Sequence, residues 1–248
     1  MKCRAKWALL PVLCLLHLGL LGASLTLGAD EATGEEAPGL ADLAAAADLV
    51  ALAQVRDTDY LRRRDIPVSG SAYLKILIPY KPERPQDLVE VYEKGLRAGE
   101  CYFPNPTVFE EGRRYLLLLR RDPDEPERYR GLPQGCALDV LVDADNRYAV
   151  RWPLTGLQLS ARDRAALGEQ ARPMTFRDPY AVVRDEDLPP AQRDAMLAAG
   201  QIAPWSEATD AEEEALLPPS EAPPLQWIYT QGVPLGEFRR LLQLDPQL

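Results

Sequence analysis

The sequence predicts a mainly β protein: a small closed or nearly closed barrel of short strands, with short helices in a C-terminal extension. Three observations point there. Gly112–Arg121 holds five consecutive apolar residues, Tyr115 to Leu119, between a glycine with two arginines and a second arginine pair. That run is too short for a buried helix and fits a strand covered on both faces. Around it lie other short runs, apolar or alternating, bounded by Pro, Gly, Asp and Asn. Six such strands within about a hundred residues are the pattern of a small barrel.

The chain opens with what reads as a secretory signal peptide, residues 1–29. Lys2, Arg4 and Lys6 precede an apolar stretch from Trp7 to Leu21, and small residues surround Ala23 and Ala29. Cleavage is expected after Ala29, with Ala23 as second choice. An uncleaved membrane anchor is the alternative, disfavoured because the apolar stretch is shorter than the ~20 residues a bilayer span needs; no stable membrane span is expected after signal cleavage. Its loss takes three bases and no acids, moving the net charge from 28 − 38 = −10 to 25 − 38 = −13. An exported chain of that charge, periplasmic or secreted, is repelled by nucleic acid and by anionic membranes. The leader also carries His17, the single histidine. Cys101 and Cys136 remain, and in an exported protein two cysteines read as one disulfide. It would close a loop of about 36 residues and stabilise the fold by up to roughly 4 kcal/mol. Two buried free thiols are the alternative.

Residues 30–46 form a flexible leader with a short helix near Leu40–Ala46. The first strand starts at Ala47 and emerges toward solvent after Val55, with Arg62-Arg63-Arg64-Asp65 as a polar connection. In the second, Ser71 to Ile78, Leu74, Ile76 and Ile78 share one face and Tyr73, Lys75 and Leu77 the other. Leu88 to Glu93 is the third, followed by a glycine-punctuated loop that holds Cys101. After the central strand, 122–135 reads as a loop. Ala137–Val142 and Arg147–Trp152 flank Asp143-Ala144-Asp145-Asn146 as a β-hairpin. The barrel domain is thus bounded at 47–156.

A helical extension, 157–203, follows. Ser160 with Asp163 marks one helix start, and Pro189-Pro190 and Gly200 bracket another. Residues 204–226 form an acidic, proline-rich linker. Pro234 begins a final helix within 227–248, with Leu235, Phe238, Leu241 and Leu242 on one face. It is expected to dock on the barrel or on a partner.

With the strands laid out, Ala47-Asp48-Leu49-Val50, a second strand with a lysine near its end, a cysteine loop and Gly112-Arg113-Arg114-Tyr115-Leu116 together resemble bacterial exported domains of the netrin/TIMP-like (NTR) group, over about residues 47–156. The resemblance implies an OB-type barrel, five strands in Greek-key order, and a binding role. Metalloprotease inhibition does not carry over. Inhibitors of that group place a free N-terminal cysteine on the protease zinc, whereas cleavage here leaves Asp30 or Ser24 first.

The residue types restrict the chemistry. Ser-His-Asp and Cys-His catalysis need an imidazole, and no histidine follows His17. Zinc sites draw on His or Cys, and Asp143, Asp145 and Asn146 suit a turn better than a calcium loop. No phosphate-binding glycine motif occurs, so no catalytic residue, metal or cofactor is assigned. Glu90, Glu93, Glu110 and Glu111 are the acids that a carboxylate-only hydrolase of envelope glycans would use. That reading and a purely structural envelope protein are the alternatives to the favoured one, an exported non-enzymatic binding protein. Its partner is an unknown protein, not nucleic acid, and its contact is placed at Tyr102 and Phe103 with Arg113 and Arg114 beside them.

Overall fold

The computed structural model describes residues 37–64, 66–81, 86–94, 101, 108–205 and 225–243. The proposed signal peptide, Tyr102, Phe103 and nearly all of the acidic linker lie outside them.

β1 (Leu49–Arg63), β2 (Ile66–Lys81), β3 (Leu88–Glu93), β4 (Arg114–Arg121) and β5 (Tyr129–Gly131) close a barrel in the order β1-β2-β3-β5-β4-β1. This is the OB-type Greek-key order. Neighbours are antiparallel except β3 and β5, which meet in parallel at Val91 and Tyr129. All five strands feed one interior cluster: Leu49, Ala51, Ala53 and Val55; Ala72 and Leu74; Val89 and Val91; Tyr115, Leu117 and Leu119; and Tyr129. The intervening residues Val50, Leu52, Leu116 and Leu118 point the other way, into a second cluster. Both faces of β1 and β4 are therefore buried, which is why these runs lack polar positions.

Register shifts at Val50/Ala51, Leu52/Ala53 and Val55/Asp57 bend β1 around the barrel. β1 and β2 run well past the bounds read from sequence. Beyond the barrel a strand needs only its partner's hydrogen bonds, so Arg56 to Arg63 stay in β1 despite their polarity. Where the pair leaves the barrel, Gly70 sits opposite Tyr60 at φ +145°, and an added Cβ would lie 2.1 Å from the Asp59 carbonyl oxygen. Only glycine fits there.

β5 lies in the stretch read as a loop. Three residues with charged neighbours carry no alternation, and its place comes from pairing with β4 at Leu119, Arg120 and Arg121. The fifth closing strand is thus β5 and not part of the hairpin. β6 (Ala137–Val142) and β7 (Tyr148–Arg151) form that hairpin, with Asn146 at φ +61° in its turn. β6 joins β4 at Arg114 to Leu117, and the sheet continues away from the barrel through β7 to two later strands. These are β8 (Arg172–Pro173) and β12 (Gln231–Pro234), which pairs with both β7 and β8.

The second cluster is covered by α1 (Leu40–Ala46), α2 (Ala161–Gln170) and α4 (Leu235–Leu241). Ser160 caps α2 by accepting from the Asp163 N–H, while Asp163 accepts the Leu40 N–H and so caps α1 from 123 residues away. Leu235, Phe238 and Leu242 of the final helix pack into this cluster with Val150 and Val233, so that helix docks on its own chain.

The extension is more than helical. β9 (Val182–Arg184), β10 (Ile202–Trp205) and β11 (Gln226–Tyr229) form a separate small sheet, order β10-β11-β9, beside α3 (Pro190–Ala198). Val183, Met196, Ile202, Trp227 and Tyr229 build a third cluster on Leu141 and Ala149 of the hairpin. Each strand is only three or four residues long and carries no alternation of its own, so the sequence does not announce it. Cys101 and Cys136 are both fully buried in the barrel cluster, Cα atoms 5.3 Å apart, at disulfide distance. Among the described residues no helix is long and apolar enough to cross a membrane.

Candidate functional site

The strand β6 passes from one core to another. Ala137 belongs to the barrel interior and Leu141 to the third cluster, and between them on the same face stands Asp139. Its carboxylate is almost wholly buried. Arg113 Nη1 donates to it at 3.2 Å and Arg151 Nε lies 3.0 Å away. Arg113 also donates to Glu110 at 2.6 Å and stacks over the Tyr180 ring at 5.0 Å. Arg151 stacks over Tyr229 at 4.4 Å and donates to the Thr155 hydroxyl. Two guanidiniums thus share one carboxylate at the seam of two apolar cores, each flanked by an aromatic face.

Burial works against the charge on Arg113. Asp139 and Glu110 outweigh it, and the guanidinium is held above its ordinary range. The same contest at Arg151, with Tyr229 and Asp139 on the favourable side, ends the same way. Burial, then Asp139, pushes the Tyr115 phenol well above its ordinary value, so it stays protonated.

Asp178 is the other organiser. Its Oδ2 accepts from Arg114 Nη1 at 3.1 Å and from the Val142 N–H, and its Oδ1 from the Tyr180 N–H. This fixes Tyr180, whose hydroxyl donates to the Glu111 carbonyl at 2.7 Å. Gly112 makes the close approach possible: at φ +83°, an added Cβ would fall 2.2 Å from that hydroxyl oxygen.

Against this cluster opens a cleft of about 370 Å³ between the Glu110–Arg113 turn and β9. Arg113, Glu110, Tyr180, Tyr229, Arg184 and Asp187 supply its polar wall, Val182 and Val183 its apolar one. Arg184 is held by Asp187 at 2.9 Å. The cleft can offer aromatic edges and charge-assisted hydrogen bonds to a bound chain. Its lining has no hydroxyl or thiol paired with a base.

Of the residues read as a contact, Arg113 lines this cleft. Arg114 is committed to Asp178, and Tyr102 and Phe103 lie outside the described residues. Cys101, where their loop begins, is inside the barrel core. The acids considered for hydrolysis each accept a hydrogen bond, and Glu110 alone of them lines the cleft. Glu90 accepts from Ser71 at 2.5 Å, Glu93 from Tyr60 at 3.0 Å and Glu110 from Arg113, while Glu111 takes a long bond from Thr58. Asp143 accepts from the N–H groups of Asp145 and Arg147 and from the Arg147 side chain, so its carboxylate serves the turn. Among the described residues no three His, Cys, Asp or Glu side chains cluster as a metal site would need.

Asp139, Arg151, Tyr180 and Tyr229 were not picked out from sequence. A signal existed for the first: a carboxylate between Leu138 and Val140 in an otherwise apolar strand must find a partner. No protein-family model matches the chain, and no curated protein or solved structure does either.

Proposed function

We propose that the chain is an exported, non-enzymatic protein-binding module built on an NTR-like, OB-type barrel. The cleft beside Arg113 is the observation that carries this reading. Tyrosine and arginine on a rigid, desolvated base are the chemistry of interface anchors, and Tyr180, Tyr229 and Arg113 are locked by the ion cluster beneath them. Export is supported by the basic-apolar leader and by the cysteine pair at disulfide distance in the core. Acids already tied to hydroxyls and an arginine favour binding over carboxylate-only hydrolysis.

The test is a photo-crosslinking residue placed at Val182, in the cleft, and at Glu169, exposed on α2. In envelope extracts a discrete adduct is expected from position 182 and none from 169. Identical patterns from both positions refute the cleft as the contact.

A further inference from the structure

Beyond this reading, the tip of the β1–β2 hairpin has a composition unlike the rest of the chain. β3 leaves β2 at Gly70, opposite Tyr60. From there to the Arg63↔Ile66 pair, β1 and β2 pair with each other alone among the described strands. Leu61 and Ile66 are 59 % and 54 % exposed, among the few large aliphatics that face solvent, and Arg62, Arg63 and Arg64 between them are exposed as well. From Leu61 to Ile66 the chain carries three arginines and one aspartate, a local 3 − 1 = +2. The whole chain is at −10.

We propose that this tip docks on an anionic lipid surface, with the arginines among the headgroups and Leu61 and Ile66 entering the interface. Cationic side chains bracketed by aliphatic ones are what a membrane interface selects. The acidic body does not prevent this. At ~3.3 Å per residue Arg64, four residues past Tyr60 at the rim, stands about 13 Å out, beyond the Debye length of ~8 Å at physiological salt, so repulsion from the body is weakened there. A single-stranded nucleic acid would want stacking rings, and the nearest, Tyr60, is hydrogen-bonded to Glu93. An acidic protein would want a pocket for an anchor, and a hairpin tip is convex.

The test is co-sedimentation of the chain from Asp30 onward, the expected product of leader cleavage, with phosphatidylcholine vesicles with and without phosphatidylglycerol. Binding is expected to the anionic vesicles alone and to fade as salt rises. Each arginine near such a surface is worth roughly a five-fold factor in partition. Replacing Arg62, Arg63 and Arg64 together by serine should therefore weaken binding by about two orders of magnitude. Leu61→Ser with Ile66→Ser should weaken it several-fold at unchanged charge. Circular dichroism should match the parent in every variant. The proposal fails if anionic vesicles are ignored at physiological salt, if the triple-serine variant binds like the parent, or if the chain binds polyglutamate through the same arginines but no vesicle.

Discussion

Asp139 is a single, nearly buried carboxylate answering two guanidiniums. Removing it leaves the half-buried Arg113 with Glu110 and strips the buried Arg151 of its carboxylate partner. Stranding one partner of a buried ion pair costs about 3–5 kcal/mol, more than a surface pair is worth. Asp139→Asn keeps the volume and removes the charge. It is expected to lose stability on that scale in urea unfolding, and replacing Glu110, whose side chain is half exposed, should cost under about 1 kcal/mol. Equal losses from the two would contradict the burial seen here. The cluster also explains why the site was half legible. Arg113 stands out as one of a pair before an apolar run, but the cluster around it comes from β6, β7, the turn before β9 and β11, and no spacing in the sequence announces that they converge.

At the scale of elements, β4 was readable because both its faces are covered. An unbroken leucine run has no other stable home in a chain this polar. Its two faces serve different cores: Leu117 faces the barrel interior and Leu118 the helices, both fully buried. Leu117→Ala and Leu118→Ala are each expected to cost about 2–5 kcal/mol in chemical denaturation. A strand covered on one side would show one large loss and one small one. The hairpin and the helices at Ser160, Pro190 and Pro234 were equally legible, since caps, prolines and turn residues act locally. What could not be read were the strands whose pairing supplies all their definition: β5 with three residues, β8 with two, and the small sheet. The tails of β1 and β2 belong with them, held by hydrogen bonds to each other and not by an apolar face.

For the molecule as a whole, the link between Cys101 and Cys136 joins the loop after β3 to the start of β6, across a separation of 35 residues. It fastens the barrel to the hairpin that carries the remainder of the chain. Replacing both cysteines by alanine is expected to lower stability by up to roughly 4 kcal/mol, mainly by freeing the unfolded chain. Paired thermal scans of the parent with and without reductant should reproduce most of that drop. If neither change moves the melting temperature, the two sulfurs do not form a structural bridge. The three clusters also meet on six residues. Ala137 fills the first, Leu138 and Val140 the second, and Leu141 the third. No one of them can melt while its neighbours keep that strand in place. The barrel is thus no module that could be cut out at its apparent edge and moved to another chain: severed from the segments that follow, it would lose the far side of its own wall.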